Sequence, residues 1–268
     1  VEKATQKPYY WVEYEHQSER MPPLKKGFDK MKDYASALCM RAMLKTVQGK
    51  HDQGFRDIET CYKLGKHLAA NKEFVCRFAG YACRRWALQT TRMILAQEQI
   101  DGSLLNELQS QFEKFAEDDT YGFDFTYEIF LTKDFIQCIF TDNGLGGGHI
   151  PKSSFIKVRY PDGEYEWTLS SFLPIENEFE AYKWRNLKRS KTTDQVELYY
   201  DLSQQACSQA PWQYRINLFV QMSIEKIKKQ NPLIELYSPV IESLVHIGGR
   251  SPIVRDATIT LLAILRYE

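Results

Sequence analysis

Two neighbouring segments of this chain repeat apolar residues at helical spacing and are separated by a very short polar connection. The first stripe consists of Phe28, Met31, Ala35, Leu38 and Ala42, and the second of Phe55, Ile58, Tyr62, Gly65 and Ala69. Steps of three and four residues place each stripe on one face of a helix. The connection carries Gly49 at the position where a helix C-cap favours glycine. Because so short a link forces two helices to lie side by side, the sequence predicts an antiparallel helical hairpin.

The rest of the pattern predicts a mainly α fold. A later stripe at helical spacing consists of Leu105, Leu108, Phe112 and Phe115. The first helix pair is similar to the two-helix repeats of tetratricopeptide type, although Gly54 replaces the usual alanine. We therefore predict a tetratricopeptide-like bundle of helical hairpins with one inserted β-hairpin. Its parts are an N-terminal arm at 1–27, a helical-hairpin region at 28–120, and a helical region at 121–268 that continues the same core.

The inserted β-hairpin is predicted from two alternating segments that flank the sequence Pro-Asp-Gly-Glu at 161–164. With Asp-Gly as a two-residue turn, Tyr160 faces Tyr165 and Val158 faces Trp167. We expect Val158 and Trp167 to pack against the helices. The apolar segment that ends at Phe140 is predicted to be mostly helical, with a buried strand at 135–140 as the alternative.

A further helix is predicted to begin at Pro211, because proline is favoured at the first position of a helix. The apolar residues expected on its inward face are Trp212, Ile216, Phe219, Val220 and Ile227.

Charge and composition restrict the possible partners. The 35 Lys and Arg residues balance the 35 Asp and Glu residues, so no net charge attracts the chain to nucleic acid or to an anionic membrane. The longest apolar run, Ile259–Leu265, is far shorter than the ~18 residues that a membrane-spanning helix requires. We expect a protein partner, and any membrane attachment to come from an anchor outside this sequence.

The six cysteines are scattered along the chain, and none forms the C-x-x-C pair typical of structural zinc. Cys76 and Cys83 are seven residues apart on one predicted helix, too far apart for a disulfide. The sequence favours small buried side chains in helix interfaces. An even number of cysteines also permits disulfides between helices in an oxidising compartment.

The glycine-rich segment 141–151 is the main candidate for a binding site, and its candidate residues are Asp142, Asn143 and His149. It is not a dinucleotide-binding motif, since His149 occupies the position of the third glycine and Pro151 interrupts any following helix. We expect a structural loop, with Asp142 closing an Asx turn and glycines supplying positive φ angles. The competing interpretation is a metal site with Asp142 and Asn143 as ligands. The sequence predicts no cofactor and favours the absence of a metal.

No combination of nucleophile, base and orienting acid is recognisable in the sequence, so no catalytic residue is assigned. The leading hypothesis is a non-enzymatic binding or scaffolding protein. The alternative is a hydrolase-type enzyme whose site lies near the glycine-rich loop and uses Asp142 and His149.

One tract of the sequence resembles a known group of proteins. It runs Lys133-Asp-Phe-Ile-Gln-Cys-Ile-Phe-Thr-Asp-Asn-Gly-Leu-Gly-Gly-Gly-His149, and with the segment Ala42–Leu68 it resembles the uncharacterised envelope proteins of planctomycete-type bacteria. Asn143 stands where that family often has a second Asp. The resemblance implies an α-helical protein on the periplasmic side of the cell envelope, attached to the membrane by a segment not present here. It assigns no activity and no catalytic residue.

Overall fold

A computed structural model describes residues 28–71, 74–117, 123–141, 147–150, 155–160, 163–168, 184, 186–209, 211–237 and 241–267. The helices in these ranges are α1 (Phe28–Val47), α2 (His51–Ala69), α3 (Phe74–Gln97), α4 (Gly102–Glu117), α5 (Thr126–Ile139), α6 (Arg189–Cys207), α7 (Pro211–Ile216), α8 (Leu218–Gln230), α9 (Pro232–Tyr237) and α10 (Ile241–Tyr267). The strands are β1 (Phe155–Tyr160) and β2 (Gly163–Thr168). The prediction of a mainly α protein is confirmed. The predicted arm at 1–27 lies outside the described residues.

The chain divides into two compact units. Among the described residues, the first unit contains α1 to α4 and most of α10, and the second contains α5 to α9 with the two strands. The segment expected to be either helix or strand at 135–140 belongs to α5 up to Ile139. The domain boundaries expected from the sequence at 27 and 120 remain a prediction.

The turn between α1 and α2 has the geometry that its sequence predicts. Gly49 has a φ of +74° and is the one residue in the described part of the chain with a positive φ. The Gly49 N–H donates to the Thr46 carbonyl at 2.8 Å, and the Lys50 N–H donates to the Lys45 carbonyl at 2.9 Å. These are the two bonds of a Schellman motif, which ends a helix with a left-handed glycine. The hairpin of α1 and α2 follows from this stop.

Part of the core of the first unit is formed by the stripes predicted from the sequence, and α3 adds further buried residues such as Cys83 and Leu88. The residues of those stripes that are buried are Ala35, Leu38, Ala42, Phe55, Ile58, Tyr62, Gly65, Leu105, Leu108, Phe112 and Phe115. The Tyr62 ring stacks on Phe115 with 4.7 Å between centroids and meets Phe112 edge-on at 5.7 Å. Aromatic pairs in these arrangements contribute to stability beyond the area they bury. The α2 and α4 predictions are confirmed.

Helices α2 and α3 approach each other through glycines. A Cβ on Gly65 would lie 2.6 Å from the Gly80 carbonyl oxygen, and a Cβ on Gly80 would lie 2.5 Å from the Gly65 carbonyl oxygen. Buried Arg84 follows on α3, with its guanidinium 4.8 Å from the centroid of the Tyr81 ring. Because neither backbone leaves room for a methyl group, the glycines determine the spacing of this helix pair.

The two strands pair antiparallel in a register that differs from the predicted one. Tyr160 is opposite Gly163 and Val158 is opposite Tyr165, so the predicted pairing of Tyr160 with Tyr165 is wrong. The predicted register requires Pro161 to act as a strand residue, although proline has no N–H to donate to a ladder. In the observed register Pro161 falls between the strands. The expected packing of Val158 and Trp167 on the helices lies outside the described side chains.

The described helices show the helical class but not a tetratricopeptide-like repeat; α3 packs against both α1 and α2. No helix in the described ranges is long and apolar enough to cross a bilayer.

The glycine contact generates a stability prediction. Replacing Gly65 with Ala forces α2 away from the α3 backbone, and we expect the free energy of unfolding to fall by about 2 kcal/mol in a denaturant titration. The control is Gly102→Ala at the start of α4, where an added Cβ meets nothing within 4 Å. We expect Gly102→Ala to change stability by less than about 0.5 kcal/mol. Equal effects of the two substitutions would contradict the proposed role of the contact.

An ion cluster also connects α1 to α2. Asp57 is 5% exposed, accepts from Arg41 at 2.8 and 2.7 Å, and lies 2.9 Å from the Lys45 ammonium. Burial by itself raises the pKa of Asp57, but the hydrogen bonds from Arg41 and Lys45 outweigh it and hold that pKa below its ordinary value. The carboxylate is therefore stabilised in its charged form in the folded protein.

The lowered pKa of Asp57 generates a pH prediction. We expect Asp57→Asn to reduce the free energy of unfolding by about 1–3 kcal/mol at neutral pH. A folded-state pKa below the ordinary value of about 3.9 stabilises the fold above that pH and loses this contribution as the pH falls through the folded value. The difference between wild type and variant should therefore shrink below about pH 4. Exposed Asp52→Asn is the control, and a difference that persists unchanged in acid would contradict the ion cluster.

Candidate functional site

The two ends of the glycine-rich segment close on each other through backbone hydrogen bonds. The Thr141 N–H donates to the His149 carbonyl at 2.9 Å, and the His149 N–H donates to the Thr141 hydroxyl at 3.0 Å. The Thr141 hydroxyl also lies 3.0 Å from the His149 carbonyl and 3.4 Å from the ring nitrogen Nδ1 of His149. Thr141 therefore ties the end of α5 to the segment that precedes β1. We call this closure the loop neck, formed by Thr141, Gly148 and His149.

Gly148 is essential to the loop neck for a steric reason. A Cβ on this buried residue would lie 1.6 Å from the Thr141 carbonyl oxygen, which no side chain permits. Its own carbonyl accepts from the Arg189 N–H at 2.9 Å, at the start of α6. The expectation that glycines here supply positive φ angles is wrong for Gly148, which is not in that region. Gly148 is required for close backbone approach instead.

Of the three candidate binding residues, His149 is the one that the structure describes. Its side chain is exposed, and its ring nitrogen Nδ1 lies 3.4 Å from the Thr141 hydroxyl. Asp142 and Asn143 lie outside the described residues, so neither the Asx turn nor the metal site is tested. Within the described part of the chain, no group of three His, Cys, Asp or Glu side chains is arranged to bind a metal ion.

The first unit contains a polar cavity of about 370 Å³. It is lined by the α1–α2 turn and the start of α4, through Gly49, Lys50, His51, Asp52, Gln53, Asp101, Ser103 and Leu104. Asp101 caps α4 by accepting from the Ser103 N–H at 2.8 Å, and hydrogen bonds from Ser103 lower the pKa of Asp101. His149 is not among the residues of this cavity. A hydrolase site that joins His149 to another catalytic group is therefore not formed by it.

The second unit carries an apolar surface that sequence reasoning missed. We call it the α7–α8 apolar surface, and its side chains, each between 64% and 78% exposed, are Trp212, Ile216, Leu218, Phe219 and Met222. Residues four apart on a helix are neighbours, so Trp212 lies beside Ile216 on α7, and Leu218 lies beside Met222 on α8. Groups of large exposed apolar side chains are unusual on monomeric proteins and mark interaction sites.

The prediction that Trp212, Ile216 and Phe219 face inward is wrong, and Asn217 is the reason. The helix that begins at Pro211 ends at Ile216, and Asn217 starts α8 by accepting the Val220 N–H at 3.3 Å. This interruption shifts the helical phase, so that Val220 and Ile227 are buried while Phe219 points outward. The signal available in the sequence was Asn217 itself, because an asparagine in the middle of an apolar run can cap a new helix.

The corner between α7 and α8 is held by further side-chain hydrogen bonds. The Gln221 amide donates to the Tyr214 carbonyl at 2.6 Å and lies 3.2 Å from the Arg215 carbonyl. Buried Tyr214 fixes the inner side of α7, and burial raises its pKa. The last carbonyls of α7 therefore have partners, and the exposed side chains stand on a defined backbone.

The loop neck generates a prediction of its own. Gly148→Ala places a methyl group on the Thr141 carbonyl, so the neck cannot close, and we expect unfolding free energy to fall by about 1–3 kcal/mol. The amide of Arg189, which donates to Gly148, should exchange with deuterium faster than in wild type. Thr141→Ser, which keeps the hydroxyl, is the control. Wild-type exchange at Arg189 in Gly148→Ala would contradict this geometry.

Comparison with protein-family models, with curated proteins and with solved structures returns no match for this chain. The resemblance to envelope proteins of planctomycete-type bacteria therefore remains a prediction.

Proposed function

We propose that this chain is a non-enzymatic binding protein of the bacterial cell envelope, and that it holds a protein partner on the α7–α8 apolar surface. The observation that carries the proposal is the exposure of Trp212 on α7 and of Phe219 and Met222 on α8, on the two sides of Asn217. The envelope location in the proposal rests on the resemblance of residues 133–149.

The buried side of α8 supports the assignment of the outer side to a partner. Val220, Ile224 and Ile227 point inward, and α8 packs against α6 and α9. The helix therefore has its own core contacts without Phe219 and Met222. Burying a large apolar side chain contributes about 1.5–3 kcal/mol, and several such side chains left in solvent lower the solubility of a protein. Binding to a partner explains why they are exposed here.

A protein is the partner that the side chains of this surface favour. Trp, Phe and Met are enriched at the centres of protein interfaces, and a protruding Trp is a typical anchor for an apolar pocket. The hydrogen bonds of Asn217 and Gln221 hold the corner before binding. A backbone that is already ordered loses less entropy when the partner binds.

The tetratricopeptide-like character predicted from the sequence belongs to this proposal as well. Its support is the close contact between α1 and α2, where a Cβ on Gly54 would lie 2.9 Å from the Ala42 carbonyl oxygen. Small residues at such crossings are typical of two-helix binding repeats.

Exposed residues of α7 and α8 and a buried residue of α8 provide a matched test. We expect Phe219→Ser and Trp212→Ala to change the free energy of unfolding by less than about 0.5 kcal/mol, because both side chains are largely in solvent. Ile224→Ala, which removes a buried side chain, should cost about 2–5 kcal/mol. Denaturant titrations of the three variants check this contrast, and a large loss of stability in Phe219→Ser would mean that the surface is part of the fold.

The partner itself is sought by photo-crosslinking. A benzophenone amino acid at position 219 should give a covalent adduct with one protein of the envelope, and Trp212→Ala in the same chain should reduce the yield at least tenfold. The same crosslinker at exposed Glu107 on α4 is the control. An adduct of twice the chain mass would assign the surface to self-association. Flotation with vesicles of phosphatidylethanolamine and phosphatidylglycerol that depends on Trp212 would contradict a protein partner.

The alternative of a hydrolase with Asp142 and His149 remains a prediction from the sequence. The exposed His149 ring lies 3.4 Å from the Thr141 hydroxyl.

A further inference from the structure

Two buried thiols face each other across the α1–α2 hairpin. The sulfur of Cys39 on α1 lies 3.7 Å from the sulfur of Cys61 on α2. Cys39 is 7% exposed and Cys61 is fully buried. At 3.7 Å the two sulfurs are in van der Waals contact, and a disulfide bond of ~2.05 Å requires them to move closer together. Both thiols are free in this structure.

The surroundings of the two thiols shift their pKa values in opposite directions. The hydrogen bond from Cys61 lowers the pKa of Cys39, with burial acting against it and Thr90 adding a second hydrogen bond. The hydrogen bond to Cys39, together with burial, raises the pKa of Cys61. The first thiolate therefore forms at Cys39, which is also the less buried of the two. The carbonyls of Ala35 and Cys83 lie 3.7 and 3.5 Å from the Cys61 sulfur and hold it in place.

We infer that Cys39 and Cys61 are a disulfide-forming pair, oxidised by exchange with an external disulfide of small-molecule or protein origin, and that the bond ties α1 to α2. The inference is independent of the proposed function. It selects one pair from the several that six cysteines allow in the sequence.

The exchange proceeds in two balanced steps. The Cys39 thiolate attacks one sulfur of the external disulfide, and the other sulfur leaves as a thiolate that takes up a proton. The Cys61 thiol then loses its proton and attacks the Cys39 sulfur, which releases the second external thiol. The chain loses two protons and two electrons, and the external disulfide becomes two thiols. Local opening of the hairpin admits the oxidant, since Cys61 is fully buried.

Two other buried thiols, Cys83 and Cys207, are less suited to the first step of this chemistry. Burial raises the pKa of Cys83 and of Cys207 to about 12 in each case. A thiol with so high a pKa contains almost no thiolate at neutral pH, so neither of them supplies the attacking thiolate that Cys39 supplies. Cys207 therefore serves as a matched buried control.

Peptide mapping tests the pair directly. The folded full chain is incubated with oxidised glutathione, blocked with N-ethylmaleimide, and digested with trypsin without reductant. Trypsin places Cys39 in peptide 33–41 and Cys61 in peptide 57–63, each with a single cysteine. We expect these two peptides to be joined by a disulfide, and the joined species to disappear in Cys61→Ala but persist in Cys207→Ser.

A thermal readout covers the case in which a variant folds poorly. Oxidised wild type should melt roughly 5 °C or more above the reduced protein, because the bond restricts the unfolded chain, and dithiothreitol should remove the increase. Recovery of both peptides as maleimide adducts, under conditions that fully oxidise a reference dithiol, would overturn the inference. A Cys61–Cys83 link in place of the Cys39–Cys61 link would overturn it as well.

Discussion

The contact between α2 and α3 is the constraint on which the first unit depends. Gly65 and Gly80 bring the two backbones so close that neither position has room for a methyl group. This spacing leaves Tyr62 to pack between Phe112 and Phe115 of α4. Helix α1 packs on α2 close enough to place the sulfur of Cys39 beside the sulfur of Cys61. A small change in interhelical distance would therefore alter the aromatic core and the thiol pair together, since closely packed interiors transmit strain.

In the second unit, one polar side chain separates an inner apolar face from an outer one. Asn217 ends α7, caps α8, and changes the helical phase between Ile216 and Phe219. Val220 and Ile227 then complete the contact with the rest of the unit, and Trp212 and Phe219 remain in solvent. The exposed apolar side chains flank this helix break. The glycine-rich segment, for which the sequence predicts a structural loop with a metal site as the alternative, closes through Thr141 and His149.

The parts of the fold that follow from local rules were predictable. The stripes of α2 and α4 are long and regular, so their buried residues were named correctly, including Ile58 and Phe112. The glycine stop at Gly49 follows from the low steric cost of a positive φ in glycine. The strand register was not predictable from alternation alone, because a shift of two residues keeps every side chain on the same face. The observed pairs run from Phe155 opposite Thr168 to Tyr160 opposite Gly163. Proline has no N–H to donate to a strand ladder, which disfavours the predicted register that pairs position 161.

By itself the sequence determined the helical class, the hairpin of α1 and α2, and the absence of a net charge that would attract nucleic acid, because these depend on periodicity, turn residues and composition. The tertiary structure decided the matters that depend on distance between remote segments. These matters are the close approach of Gly148 to the Thr141 carbonyl, the proximity of Cys39 to Cys61, and the exposure of Phe219 after the helix break. No local pattern encodes such distances, since they result from the packing of whole helices.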